Sequence, residues 1–364
     1  MARLHQLFRS VFELGASDLH LASGLEPRIR IAGLLQPVEG WATMASGEMR
    51  AILREIVSAE QWRRFEETGD LDFAYSLETL GRFRANYFEQ ENGAAAVFRR
   101  IPEEILSLEE LGLPKVVGDL ADLESGLVLV TGPTGSGKST TLAALVDRMN
   151  TESARHILTI EDPVEFIHRE KRCAISQREV GIDTESFGAA LKAGMRQDAD
   201  VILVGEMRDL ETIGLAVRAA EMGVLVLGTL HTNSAAKTID RLIDVFPADE
   251  QSAIRSSLSS SLAAVVAQIL LPTPDGKSRV AACEILLRTR GLGNVIREAN
   301  TPMIRSIIQA GRARGMRSMD DALLELVRAG TITARVAHRR AFEKKLFEDL
   351  LRRESGQNEA AEIR

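Results

Sequence analysis

The residues best suited to chemistry lie in the segment Gly132-Pro-Thr-Gly-Ser-Gly-Lys138-Ser139, which fits the pattern G-x-x-x-x-G-K-[ST]. Its glycines let the backbone wrap tightly, so that successive N–H groups and a helix N-terminus point at phosphate oxygens. Lys138 would neutralise the β- and γ-phosphates, and the Ser139 hydroxyl would bind Mg²⁺. The predicted binding residues are Gly132, Pro133, Thr134, Gly135, Ser136, Gly137, Lys138, Ser139 and Thr140.

The sequence around this segment supports the phosphate-binding interpretation. An apolar strand-like run, LVLV (127–130), precedes it, and a helix-like run, STTLAALVDRMN (139–150), follows it. The alternative is a glycine-rich turn with a surface lysine, but a strand before the loop and a helix after it are the context of a phosphate loop. We therefore predict a site for a nucleoside triphosphate.

Acidic residues follow two further strand-like runs. Three of them lie in EDPVE (161–165), and Glu206 ends the second run. Phosphoryl transfer to water uses one acid near the Mg²⁺ and another that orients the attacking water. We predict that Glu165 and Glu206 are catalytic and that Glu206 also binds the metal. Which acid of the segment 161–165, Glu161, Asp162 or Glu165, is the general base stays open. Helix N-caps or solvated loop charges are the alternative interpretation of these acids.

Two other polar positions have similar alternatives. Asp209 precedes the helical run LETIGLAVRAAEM and is predicted to be its N-cap. His231 and Thr232 follow the last apolar run, where a sensor of the γ-phosphate would lie. A lone histidine is more often structural, but its place at a strand end favours function, and we predict that His231 is catalytic.

The elements that must position these residues form an alternating pattern from residue 126 onward. Continuous apolar strands separated by helices indicate a parallel sheet covered on both faces, and such sheets place their sites at the carboxyl ends of the strands. The predicted strands are 127–130, 156–160, 201–205 and 224–230. The fold class is therefore α/β.

Composition restricts the class of protein further. The 364-residue chain has 45 Lys and Arg against 52 Asp and Glu, a net charge of −7 that gives no general attraction for nucleic acid. Its two cysteines, Cys173 and Cys283, form neither a metal motif nor a disulfide framework, which suits a reducing cytoplasm. The N-terminus lacks the apolar region of a signal peptide. The uncharged stretch 256–274 contains five serines and is predicted to be a buried core helix, not a membrane span.

Several segments together resemble one family, the type IV pilus retraction ATPases (PilT- and PilU-like members of the secretion ATPase superfamily). The resemblance covers residues 12 to about 333 in order. The segments that carry it are ASDLHLASG (16–24), GLVLVTGPTGSGKSTTLAAL (126–145), ILTIEDPVEFIH (157–168), QREVGIDT (177–184), ILVGEMRDLETI (202–213) and GTLHTNSAAKTIDRLIDVFP (228–247).

The resemblance implies a fold, a function and partners. It implies a PAS-like α+β domain (1–110) and a RecA-like P-loop ATPase core (127–290). The Gly, Pro and Asp residues of 111–126 predict a linker with a short helix, and the later pattern predicts a helical C-terminal region (291–354) and a frayed polar tail (355–364). The resemblance implies a cytoplasmic homo-hexamer at the inner-membrane pilus base that uses ATP and Mg²⁺ to drive pilus retraction against a membrane platform protein. It also implies that arginines of the N-terminal domain, matched here by Arg82, Arg84 and Arg99, complete the nucleotide site.

The sequence departs from the family pattern at elements that couple the motor. Val224 stands where the family has a first histidine, and GLGNVIRE (291–298) replaces AIRNLIRE. These changes favour an accessory motor that works beside a paralogous retraction ATPase. One alternative is a pilus assembly or type II secretion ATPase, but those proteins carry a four-cysteine zinc insert that two cysteines cannot build. A catalytically weak partner subunit of a paralogous motor is the other alternative.

Overall fold

The computed structural model describes residues 3–31, 33–77, 80–102 and 104–354. The chain divides into two compact units. The first contains the residues up to 104 together with 162–167, and the second contains 105–161 and the residues from 168 onward. The predicted tail 355–364 lies outside the described residues.

The first unit is an antiparallel sheet with three helices. The helices are α1 (Arg3–Glu13), α2 (Ser46–Arg54) and α3 (Ala59–Thr68), and the strands are β1 (Asp18–Ala22), β2 (Arg28–Ile31), β3 (Leu34–Pro37), β4 (Asp70–Leu77), β5 (Gly81–Gln90) and β6 (Gly93–Ile101). The strands lie in the order β3-β2-β1-β6-β5-β4. Alternate residues of β5 are buried, and Phe83 stacks on Phe8 of α1 with ring centroids 4.2 Å apart. The alternating apolar patterns at 28–31 and 81–87 predict strands, and β2 and β5 confirm them.

The helical spacing of Ile52, Ile56 and Val57 predicts helix between residues 47 and 65, and the structure has two helices there, α2 and α3. Ser58 interrupts the pattern because its side chain accepts a hydrogen bond from the Gln61 backbone N–H while the Gln61 side chain accepts one from the Ser58 N–H. This capping box starts α3 at Ala59.

The second unit is built on a seven-stranded sheet. Its strands are β7 (Gly126–Thr131), β8 (His156–Glu161), β9 (Ala174–Glu179), β10 (Val201–Val204), β11 (Leu225–Leu230), β12 (Leu262–Pro272) and β13 (Arg279–Leu287). Its helices are α4 (Lys115–Gly118), α5 (Lys138–Glu152), α6 (Phe187–Gly194), α7 (Leu210–Glu221), α8 (Ala235–Asp244), α9 (Gln251–Ser261), α10 (Arg290–Arg297), α11 (Ile304–Ala310), α12 (Met319–Arg328) and α13 (Ala334–Arg340).

The sheet runs in the order β13-β12-β7-β11-β10-β8-β9, and every neighbouring pair is parallel except β12 with β13. Alternate residues of each central strand enter two different apolar clusters. In β7, Leu127 and Leu129 pack on one face, whereas Val128 and Val130 pack on the other. The predicted parallel sheet, covered on both faces, is confirmed, with one antiparallel strand at its edge.

The prediction of a core helix over 256–274 is wrong for most of that stretch. Helix α9 ends at Ser261, and residues from Leu262 form β12, which pairs with β7 on one side and β13 on the other. A short apolar run is compatible with either a buried helix or a buried strand, so the sequence pattern did not separate them. No helix in the described part of the chain is long and apolar enough to cross a membrane.

The short helix predicted within 111–126 is confirmed by α4. Within the predicted linker 111–126, α4 packs Val117 into the same apolar cluster as β7. The spacing near the C-terminus predicts an amphipathic helix with Phe342, Leu346, Phe347, Leu350 and Leu351 on one side. The structure instead has a 3₁₀ turn (Lys344–Phe347) followed by helical residues 348–354. Phe347 is buried, but Phe342 and Leu346 are exposed, so the predicted common apolar face is wrong.

Candidate nucleotide-binding site

The glycine-rich segment is a tight loop between the last residue of β7, Thr131, and the first residue of α5, Lys138. Gly137 has φ +86° and occupies the N-cap position of α5, a left-handed conformation that glycine adopts without strain. At Gly132 a Cβ would lie 2.2 Å from the backbone oxygen of Gln268, so only glycine fits. The loop therefore opens the N-terminus of α5 for an anion.

The polar groups of the loop are arranged around this opening. The Lys138 Nζ donates to the carbonyl oxygens of Gly132 (3.0 Å) and Pro133 (3.1 Å). The Ser136 hydroxyl is buried and has no hydrogen-bond partner within the described residues. Ser139 is exposed in the first turn of α5. A lysine that curls over its own loop and an unpartnered buried hydroxyl are groups that a phosphate can engage.

Glu206 follows β10 and Gly205 at the same edge of the sheet as the loop, since β10, β11 and β7 are consecutive parallel strands. Arg208 binds its carboxylate with two nitrogens, each 2.6 Å from an oxygen, and His231 Nε2 lies 3.1 Å from Oε1. Burial opposes ionisation of Glu206, but the hydrogen bond and charge of Arg208, with smaller effects of His231 and Lys138, lower its pKa below the usual value. Glu206 is thus an ionised acid at the predicted position.

Helix α7 confirms the predicted cap beside this acid. The Asp209 side chain accepts hydrogen bonds from the backbone N–H and the hydroxyl of Thr212, at 2.8 and 2.9 Å. Asp209 is therefore occupied as the N-cap of α7.

A chain of threonine hydroxyls connects the loop to the segment after β11. The hydroxyls of Thr232 and Thr238 are 2.7 Å apart, Thr238 donates to the Ser234 carbonyl oxygen at 2.8 Å, and its oxygen lies 3.5 Å from the Thr131 hydroxyl oxygen. Thr131 is the residue before Gly132. Sequence reasoning singled out Thr232 but missed Thr131 and Thr238, which are a buried strand residue and a buried helix residue brought together by folding.

The acids after β8 fall into two environments. Glu161 is the last residue of β8 and accepts a hydrogen bond from Thr159 at 2.7 Å, in the second unit. Glu165 belongs to the first unit, where its carboxylate lies 3.5 Å from Arg84 Nη1. The catalytic role of Glu165 stays a prediction.

The three predicted arginines all lie in the first unit. Arg82 contacts the Ser76 hydroxyl at 3.2 Å, Arg84 pairs with Glu165, and Arg99 Nε donates to Asp18 at 2.8 Å. Their predicted contribution to a nucleotide site remains a prediction. Among the described residues, no group of three or more His, Cys, Asp or Glu side chains could hold a metal ion.

Val224 lies at the other end of β11. It precedes the strand, and its carbonyl oxygen accepts a hydrogen bond from Gly126 N–H at 3.2 Å, at the start of β7. Six residues of strand span about 20 Å. Residue 224 is therefore separated from the phosphate loop of its own chain by the length of the strand, and a direct relay from that position is excluded within one chain.

The chain is similar in sequence and in structure to proteins that are already known. The family model described as type II/IV secretion system protein matches residues 1–360. The chain is 50% identical over 327 residues to the type IV pilus retraction ATPase PilT of Pseudomonas aeruginosa, covering 90% of this chain and 94% of that protein. It is 49% identical over 315 residues to a twitching motility protein of Neisseria gonorrhoeae, covering 86% and 84%. The crystal structure of the pilus retraction motor PilT with bound ADP superposes with a TM-score of 0.86 at 42% identity, covering 93% and 97%.

Proposed function

We propose, since the chain belongs to the family of type II/IV secretion system proteins, that it is an ATP-hydrolysing motor that drives type IV pilus retraction. The observation that carries this proposal is the 50% identity to PilT across 94% of that protein, in a chain that has an open phosphate loop beside an ionised Glu206. The mechanical work of this motor would support twitching motility.

The residues present fit a nucleoside triphosphate. The backbone N–H groups of the loop and the N-terminus of α5 form the cradle, and the buried Ser136 hydroxyl lacks a protein partner there among the described residues. Lys138 would exchange the carbonyls of Gly132 and Pro133 for phosphate oxygens, a stronger charge-assisted contact. Bound ATP supplies the phosphoanhydride bond that is cleaved.

Mg²⁺ fits as a cation shared with the phosphates. In nucleotide sites this ion keeps water ligands and takes only one or two protein oxygens. The Ser139 hydroxyl and the Glu206 carboxylate would supply them, directly or through water. The ion would neutralise charge on the phosphates.

Glu206 is suited to orient and deprotonate a water because it is ionised and half-buried. Arg208 and His231 hold its two oxygens and so restrict its orientation. The threonine hydroxyls from Thr131 to Thr232 link the phosphate loop to the segment that carries His231. A shift of the loop on phosphate release can therefore be transmitted to His231.

We infer that the first unit is a PAS-like domain and the second a RecA-like core (127–290) with a helical C-terminal region (291–354). We further propose a homo-hexamer on the cytoplasmic side of the inner membrane that acts on a pilus platform protein. In this ring Arg82, Arg84 and Arg99 would complete a nucleotide site, and Glu165 would be a second catalytic acid. The diverged segment 291–298 supports an accessory role beside a paralogous motor.

Mixing two kinds of inactive subunit tests whether the phosphate loop of one chain and the arginines of a neighbouring chain form one shared site. Lys138→Ala chains keep the arginines, and Arg84→Ala or Arg99→Ala chains keep the phosphate loop. If the arginines act on a neighbouring chain, random mixing in a symmetric ring restores about a quarter of the wild-type sites. Arg28→Ala, on the exposed β2 arginine, is the matched control and should be active alone. A mixture no more active than its two components would overturn the shared site.

The motor function is tested in a piliated strain that lacks its own retraction ATPases. Wild-type chain should restore twitching, and Lys138→Ala should not. Restoration only when an active paralogue is also present would support the accessory role. If ATP is hydrolysed but neither strain retracts its pili, the proposed function is wrong.

A further inference from the structure

A single buried amide on β12 contacts the phosphate loop. In the strand sequence LAAVVAQILLP, Gln268 is the one residue with a polar side chain, and it is only 3% exposed. Its Nε2 donates to the carbonyl oxygen of Ser136 at 2.8 Å, and its Oε1 accepts from the Thr141 hydroxyl at 2.9 Å. The loop and the first turn of α5 are thus tied to β12 by one side chain.

The contact with Ser136 determines which way the next peptide faces. The carbonyl of Ser136 and the N–H of Gly137 belong to one planar trans peptide, so they point in opposite directions. Because Gln268 holds the carbonyl, the Gly137 N–H is directed away from β12. In a phosphate loop the N–H groups must face the anion, and a flipped peptide would present a carbonyl oxygen to it instead.

The glycines at both ends of the loop show how closely β12 approaches. A Cβ at Gly137 would lie 2.9 Å from the Gln268 amide nitrogen, and a Cβ at Gly132 would lie 2.2 Å from the Gln268 backbone oxygen. The same residue therefore abuts the start of the loop with its backbone and the end with its side chain. A buried amide leaves this arrangement only by giving up both hydrogen bonds.

We propose that Gln268 is a positioning residue for nucleotide binding, which holds the Ser136–Gly137 peptide with its N–H facing the phosphates. The inference rests on the proposed ATP site and adds a residue outside the phosphate-loop motif to it. Gln268 acts through the peptide and does not itself touch the nucleotide.

The test is a comparison of ATP affinity in three variants. Gln268→Met keeps the approximate volume but removes both hydrogen bonds, and we expect the Kd for ATP to rise about 10-fold or more. Thr141→Val removes only the anchor of the amide oxygen, and a rise of about 3-fold is expected. Val266→Ala, on the same face of β12 and in the apolar cluster that contains Val128 and Val130 of β7, leaves a cavity but removes no hydrogen bond, and it should bind ATP as wild type does.

The pH dependence of ATP affinity in a fourth variant separates an effect on the Ser136–Gly137 peptide from a general loss of protein stability. In Gln268→Glu, the protonated carboxyl can donate to the Ser136 carbonyl and accept from Thr141, whereas the carboxylate repels that carbonyl. Burial raises the pKa of such a carboxyl, so ATP affinity should fall as pH rises through about 6 to 8. Cys283, whose thiol lies 3.9 Å from the amide oxygen, does not titrate there because burial raises its pKa to about 11. The terminal phosphate of ATP itself titrates at about pH 6, so the effect is the fall in affinity of Gln268→Glu relative to wild type measured in parallel.

The outcomes are distinct. Folded Gln268→Met and Gln268→Glu chains that bind ATP within about 2-fold of wild type at every pH would overturn the inference. If Gln268→Met does not fold, Gln268→Glu and Thr141→Val decide the question by the same measure. Failure of the wild-type chain itself to bind ATP would overturn the proposed function instead.

Discussion

His231 Nε2 lies 3.1 Å from the Oε1 oxygen of Glu206, although the two residues follow different strands. Glu206 comes after β10 and His231 directly after β11, and these neighbouring parallel strands end at the same edge of the sheet. With its Nε2 protonated, the imidazole donates to the carboxylate and holds one oxygen while Arg208 binds both. The two side chains therefore form one polar site, and substitution of either residue would disturb their contact.

Binding and hydrolysis should be lost separately in two variants. Lys138→Ala should weaken ATP binding by about 10-fold or more, because it removes a charge-assisted contact to phosphate. Glu206→Gln should bind ATP but hydrolyse it about 100-fold more slowly, since the amide cannot accept a proton. Titration with ATP and a phosphate-release assay measure the two effects. Glu211→Gln, an exposed acid on α7, is the control, and wild-type turnover by Glu206→Gln would show that Glu206 is not the base.

In a plot of kcat against pH, the pH at which activity falls on the acid side (the acid limb) should depend on Arg208. The Arg208 guanidinium lowers the pKa of Glu206 against the opposing effect of burial. In Arg208→Met the pKa of Glu206 rises, so the carboxylate is protonated at higher pH and kcat falls earlier on acidification. Profiles between about pH 4 and pH 8 would show the displacement. Arg218→Met, on the exposed face of α7, should leave the limb in place, and an unmoved limb in Arg208→Met would contradict the assignment.

Stability should fall on acidification because of His168. This side chain is 8% exposed, its Nδ1 has no partner in the described part of the chain, and burial lowers its pKa from 6.5 to about 4. The unfolded chain therefore binds a proton at higher pH than the folded chain. The free energy of unfolding should decrease as pH falls from about 6.5 to 4, by up to about 3 kcal/mol from this group.

Denaturant titrations across this pH range test the histidine. His168→Gln has no titrating ring, so its stability should depend less on pH than that of wild type. His338→Gln, a half-buried histidine on α13, is the matched control and should keep the wild-type slope. Equal slopes in wild type and His168→Gln would show that another group causes the loss.

Two glycines of α10 should respond oppositely to alanine. Gly291 is exposed, and a Cβ there meets no atom closer than 3.8 Å, so Gly291→Ala should stabilise the protein by about 0.5–1 kcal/mol. Gly293 is buried, and its Cβ would lie 3.2 Å from the Ser259 carbonyl oxygen. Gly293→Ala should therefore be neutral or destabilising by about 1 kcal/mol, because close contact offsets the helix propensity. Thermal unfolding of the two variants measures the difference, and equal stabilisation by both would contradict it.

Local patterns in the sequence determined the central elements of the second unit. The apolar runs at β7, β8, β10 and β11 are continuous because those strands are buried on both faces, and this feature is visible in the sequence alone. The glycine spacing and Lys138 identified the phosphate loop, and Asp209 identified the start of α7. These signals are readable because each depends on residues close together in the chain.

The tertiary structure decided the contacts between distant segments. The sequence did not show that residues 262–272 form a strand, since a short apolar run suits either a helix or a strand until its neighbours are known. Consequently it did not reveal that Gln268 lies against Ser136, 132 residues earlier in the chain, or that Thr238 reaches Thr131. Side-chain periodicity reports only which face of an element is buried. Which groups meet across that face depends on strand order and register, and both are set by packing of the whole sheet.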